Sequence, residues 1–139
     1  MGKKKYVKAI PYLLTALEEI PNHPVVISNL AVCYYESGDR DAAARTVANA
    51  RERGVQSAEL DNVSGLLELR RQQYTKALEY FYEASKKDPR VSVYHNHMGV
   101  ALFNLKKYPH AYKEFKTAVN LDPHNKEAER NLNDCEDFI

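Results

Sequence analysis

Three consecutive stretches of this chain can be laid under one another without a gap. Residues 24–57, 58–91 and 92–125 are equal in length, and small and large side chains recur in them in phase. Ala43, Ala77 and Ala111 share one position, and Ala50, Ala84 and Ala118 another. Val47, Phe81 and Phe115 share a third, Ala31, Gly65 and Gly99 a fourth, and Val55, Pro89 and Pro123 a fifth. Self-similarity at a fixed period of this size means stacked supersecondary units, none of which buries its apolar face alone.

The recurring residues have a steric logic. Two antiparallel helices approach closely only where side chains are small, which fits Ala or Gly at the first and fourth of these positions. The large residue at Val47, Phe81 and Phe115 fills the gap between layers, and the small one three residues later admits the next hairpin. Proline cannot continue a helix interior, so Asp88-Pro89 and Asp122-Pro123 mark helix ends.

In period and in these positions the chain resembles the tetratricopeptide repeat family. The resemblance implies an all-α fold, a right-handed superhelical solenoid of antiparallel helix-turn-helix repeats. It covers nearly the whole chain as a single domain, with full repeats at 24–57, 58–91 and 92–125. Tyr6, Ala9, Leu13, Ala16 and Pro21 match the second half of a repeat, so residues 1–23 read as a partial repeat with its second helix only. In residues 126–139, Ala128, Leu132 and Cys135 lie on one helical face with acids on the other, the pattern of a solvating C-terminal capping helix. Helices are predicted near 7–19, 24–37, 41–53, 58–71, 75–87, 92–105, 109–121 and 126–137. Pro11 predicts a late start or a kink in the first. Turns are predicted at Ser37-Gly38-Asp39, Arg71-Gln72-Gln73 and Lys106-Lys107-Tyr108.

One helix departs from the pattern. Strict spacing puts Asp61, Ser64 and Glu68 at core positions of 58–71, where unpaired polar groups are costly. A shift of one residue buries Leu60, Val63 and Leu67 instead and needs a longer turn around Gln72-Gln73. Burial of Leu rather than Glu favours the shifted register, while the small Gly65 favours the strict one.

Several functions are argued against. There is no glycine-rich phosphate loop, no G-x-S-x-G, no H-E-x-x-H and no paired C-x-x-C, so no catalytic, cofactor-binding or metal residues are assigned and no enzyme activity is expected. His95 and His97 are two apart on a helix and point to different sides. Cys33 and Cys135 fall on different repeats, too far apart for a disulfide. A net charge of +1, spread along the chain, calls for neither nucleic acid nor an anionic membrane. No apolar run reaches the roughly 20 residues that span a bilayer. No signal peptide is visible, which points to the cytoplasm without fixing the compartment.

The expected function is a non-catalytic scaffold for protein–protein interaction. In the family, the first helix of each repeat lines a concave groove that holds peptides. The matching positions here are Val25, Ser28, Asn29, Val32, Tyr35 and Glu36 in one repeat. They are Val93, Asn96, His97, Val100, Phe103 and Asn104 in another, and Asn62 and Leu69 lie between. The predicted groove site is therefore Asn29, Val32, Tyr35, Asn62, Leu69, Asn96, His97, Val100 and Phe103. Asn29, Asn62, Asn96 and Asn131 form an amide row suited to a peptide backbone, and the apolar members form a strip beside it. Relatives that hold acidic tails do so with basic residues on this face. Ser28, Val32, Asn62 or Val63, Val93 and His97 stand there in this chain, so the expected partner is a protein or peptide with an apolar or extended segment. The alternative is a structural oligomerisation or spacer module. Tyr6, Ile10, Leu13, Leu14 and Leu17 on the first helix lack a covering helix and offer a contact for a homo-oligomer.

Overall fold

The computed structural model describes residues 2–139. Among them are eight helices and no strand: α1 (Gly2–Glu19), α2 (Pro24–Ser37), α3 (Arg40–Glu52), α4 (Ala58–Arg70), α5 (Tyr74–Lys87), α6 (Ser92–Asn104), α7 (Tyr108–Leu121) and α8 (Lys126–Glu136). The chain is an all-α solenoid. Helices α2 and α3, α4 and α5, and α6 and α7 pair as hairpins, and each hairpin rests on the helix that follows it. Along the stack α2 packs on α4, α4 on α6 and α6 on α8, whereas the second helices stand further apart, α3 reaching α5 through the Arg51 guanidinium, which lies over the Tyr80 ring at 5.2 Å. One face is thus a continuous row of first helices.

The period is written into the turns. Gly38, Gln72 and Lys106 stand at equivalent places in the three repeats, and each takes positive φ at a helix end, at 97°, 61° and 63°. At all three the next residue's N–H returns to a carbonyl five residues back: Asp39 to Tyr34, Gln73 to Glu68, and Lys107 to Leu102. This closure satisfies carbonyls that a helix end leaves open. The last turn lies one residue earlier than predicted, since Tyr108 already opens α7.

The core follows the recurring positions. Ala43, Ala77 and Ala111 have no exposed surface, and Phe81 and Phe115 are buried at 0% and 2%. Each Phe ring lies over a glycine of its own hairpin, Phe81 over Gly65 and Phe115 over Gly99, so tightly that a Cβ on either glycine would overlap the ring. The first hairpin solves the same problem with a smaller pair, as Ala31 and Val47 are buried together. Small under large is therefore a compensated pair within each hairpin.

The structure splits the shifted register of α4: the longer turn is corrected, while Leu60, Val63 and Leu67 are buried as predicted. Helices α4 and α6 begin one full period apart, as do α5 and α7, and the turn at Gln72 matches the turn at Lys106. No residue is added. Leu60, Val63 and Leu67 are buried all the same, because α4 is covered by both α2 and α3 as well as by α5. The polar residues find partners. The Lys87 ammonium donates to the Asp61 carboxylate, Arg51 donates to Ser64 Oγ at 3.2 Å, Ser64 donates to the Leu60 carbonyl at 2.9 Å, and Arg71 pairs with Glu68 at 3.4 Å. The late start predicted for α1 is also corrected. The helix begins at Gly2 and includes Pro11, which sits on an exposed face and takes one N–H donor out of the helix.

Candidate functional site

The row α2, α4, α6 and α8 encloses two clefts. The larger, of about 430 Å³, is bounded by Val32, Tyr35 and Glu36 from α2, Asn62 and Leu66 from α4, and His97 from α6, with Val93 and Glu127 at its edge. The smaller, of about 150 Å³, lies between α6 and α8 and is lined by Val100, Phe103, Asn104, Phe115, Asn131 and Asp134. Helical spacing explains the membership. Val32, Leu66, Val100 and Asp134 are each one repeat period apart, so each occupies the same point on successive helices.

The predicted residues meet different fates. Val32, Asn62, Leu69, His97, Val100 and Phe103 are partly buried, and Asn29 is exposed. Tyr35 is buried to 9% and stacks beneath the Arg40 guanidinium at 4.7 Å. Asn29 and Leu69 border neither cleft.

The amide row is not an open ladder. Asn96 is 2% exposed, its Nδ2 donates to Glu127 Oε1 at 3.2 Å, and its Oδ1 accepts from Asn131 at 2.9 Å. Asn96 therefore ties α6 to α8 and has no free amide for a ligand. Asn62 is engaged on one side only. Its Oδ1 lies 2.8 Å from His97 Nδ1, and since a carbonyl oxygen only accepts, Nδ1 carries the imidazole proton. His97 Nε2 then presents a lone pair, with no protein partner among the described residues. The ring also packs against Phe81, with centroids 5.1 Å apart. Burial pushes its pKa down to about 4, so the ring is neutral at pH 7.

Leu66, Glu127, Asp134 and Phe138 are additions that the sequence pattern did not single out. Leu66 lies one turn before Leu69 on the face of α4. The acidic composition of α8 puts Glu127 and Asp134 on the solvated side of the cap, yet both border clefts. Their signal is present in the sequence, since each lies one repeat period after a groove position, Val93 and Val100. Phe138 packs edge-on against Phe103 at 4.9 Å and stacks on Tyr108 at 4.8 Å, closing the far end of the apolar strip.

Among the described residues no group of three or more His, Cys, Asp and Glu could hold a metal ion. Both cysteines are buried free thiols, and burial raises their pKa values, which suits small core residues better than nucleophiles. No helix is long and apolar enough to cross a membrane among the described residues.

Two family models described as tetratricopeptide repeat match the chain, one over residues 1–67 and one over residues 92–125. The chain belongs to the tetratricopeptide repeat family. It is similar to the small glutamine-rich tetratricopeptide repeat-containing protein 2 of Mycosarcoma maydis, at 26% identity over 95% of this chain. It spans 28% of that relative's length. Among solved structures it resembles MamA of AMB-1, with a TM-score of 0.73 at 21% identity, over 97% of this chain and 80% of that one. It also resembles YrrB, described as a tetratricopeptide repeat protein with an unusual peptide-binding site, with a TM-score of 0.72 at 18% identity, over 97% of this chain and 70% of that one. Likeness at these identities concerns the fold.

Proposed function

We propose that this chain is a non-catalytic scaffold that holds a segment of a partner protein along the row α2, α4, α6 and α8. The observation that carries the reading is the larger cleft, which draws its walls from all four of these helices and mixes apolar side chains with a few polar ones. Clefts of roughly 300–1,000 Å³ with that mixture are the usual shape of a ligand site. Val93 on its edge is 43% exposed, apolar surface for which the solenoid itself has no use. That YrrB carries a peptide-binding site on the same fold supports the reading. The residues proposed to meet the ligand are Val32, Asn62, Val93, His97, Val100 and Phe103. Asn96 acts behind them by fixing α8.

The test is titration calorimetry with a peptide recovered by display on the protein. Val93→Ser combined with Phe103→Ala is expected to weaken binding at least about tenfold, the loss of one to two buried apolar contacts. Tyr82→Ala, on the exposed side of α5, is expected to leave it unchanged. Equal affinity in the groove variant would remove the proposed site.

A second reading rests on α1. None of its residues is fully buried, and Val7, Tyr12 and Leu14 are 53%, 79% and 44% exposed. Tyr6, Ile10, Leu13 and Leu17 are only half-covered, by α2. Such a face fits a structural module that meets a second copy or a neighbouring segment. Sedimentation over a wide concentration range decides it for self-association: a strict monomer at the highest concentration sinks that version.

A further inference from the structure

We propose that the larger cleft is a subsite for a cationic side chain, so that the segment held on this face carries a lysine or arginine beside its apolar residues. The inference rests on the scaffold reading and names the chemistry of the partner.

The walls divide by kind. Val32, Leu66 and Val93 offer apolar surface, while Glu36 and Glu127 bring carboxylates to the same cleft. A long basic side chain has that same division, an apolar stem with a charged head. Among the described residues no lysine or arginine lines this cleft, and none lines the smaller one, where Asp134 adds a third carboxylate. Neither Glu36 nor Glu127 is in an ion pair among the described residues. Glu127 accepts one hydrogen bond from Asn96 at 3.2 Å, which aims the carboxylate without neutralising it.

The polar group at the base completes the match. His97 is largely buried and its ring lines the cleft; Nδ1–H is taken by Asn62, which leaves Nε2 as an acceptor. An ammonium or guanidinium has only donors to offer, and the cleft supplies acceptors from Glu36, Glu127 and His97. The imidazole is neutral at pH 7, so it adds no repelling charge. An acidic segment would place like charges in the same space and is rejected. Electrostatic complementarity of this kind sets which partner is chosen more than how tightly it is held.

Random peptides displayed on phage and selected on the wild-type protein supply the probe. The expected result is enrichment of Lys or Arg next to Leu, Val or Phe. A selected peptide should bind about tenfold more weakly to the Glu36→Gln, Glu127→Gln protein, a loss on the scale of two partly exposed charge pairs. Glutamine keeps the acceptor that Asn96 uses, and replacing the peptide's Lys by norleucine should give a similar loss without touching the protein. Peptides that bind without basic enrichment, or that bind the double glutamine variant and the norleucine peptide equally well, overturn the cationic subsite and leave the scaffold reading standing. Failure to select any peptide overturns both.

Discussion

Phe81→Ala should destabilise the chain by about 3–5 kcal/mol, the usual cost of emptying a fully buried aromatic site. The ring has no exposed surface and fills the space between α4, α5 and α6 with Ala77, Met98 and Ala101 around it. The glycine beneath it sharpens the expectation. Gly65→Ala alone should cost about 1–3 kcal/mol by overpacking. It should do so even though alanine is the better helix former by about 1 kcal/mol. The two sites are coupled. With Phe81 reduced to valine, the pair becomes the Ala31–Val47 arrangement that the first hairpin already uses. In that background Gly65→Ala should become neutral or stabilising. Urea unfolding of the four members of the cycle measures this. A coupling energy near zero would show that the glycine is not held by the ring.

Acid should weaken the fold through His97. Its folded pKa is about 4 against an ordinary 6.5, so between these values the unfolded chain binds more protons than the folded one. Stability then rises with pH across that window and is lost as pH falls through it. At about 1.4 kcal/mol per unit, the full loss by pH 4 is roughly 3 kcal/mol. His95 works in the opposite sense. Its hydrogen bond to Glu114 at 2.9 Å raises its pKa, with burial opposing and the Pro89 carbonyl assisting. Its contribution is present below the ordinary histidine value and is lost as pH rises through the raised one. The two effects partly cancel in the wild type, so the difference between variants is the useful quantity. His97→Asn removes the titration while an amide can still meet Asn62. Urea unfolding at pH 7 and pH 4.5 should show a smaller acid loss in His97→Asn than in the wild type. Equal losses would mean that His97 titrates normally.

The hairpins were legible in the sequence because their constraint repeats. Ala43, Ala77 and Ala111, or Phe81 and Phe115, each answer the same local contact between two adjacent helices, so three copies state it three times. The register of α4 was not legible in the same way. Asp61, Ser64 and Glu68 look like expensive burials until their partners are known. Lys87 and Arg51, two of the three, lie on other helices. No local pattern announces a partner on a distant stretch of chain. The helix could therefore keep the strict period with polar residues at core positions and still bury Leu60, Val63 and Leu67.

The groove was half legible. Its apolar members follow from helical phase, and Val32, Val100 and Phe103 do border clefts. Its polar members depend on how α8 docks. Composition made α8 a solvated cap, and an acidic helix at the end of a stack is a sound expectation. Docking brings Glu127 and Asp134 round to the clefts, and the same contact buries Asn96. One packing event thus removed an amide from the surface and brought two carboxylates to the clefts.

Amide chemical-shift mapping with a selected peptide bears most directly on the claim that this row of helices holds a partner. Perturbations should gather on α2, α4, α6 and α8, around Val32, Asn62, Val93 and His97, and fade on α3, α5 and α7. Perturbations gathered on α1, or on the outer faces of α3, α5 and α7, would contradict it.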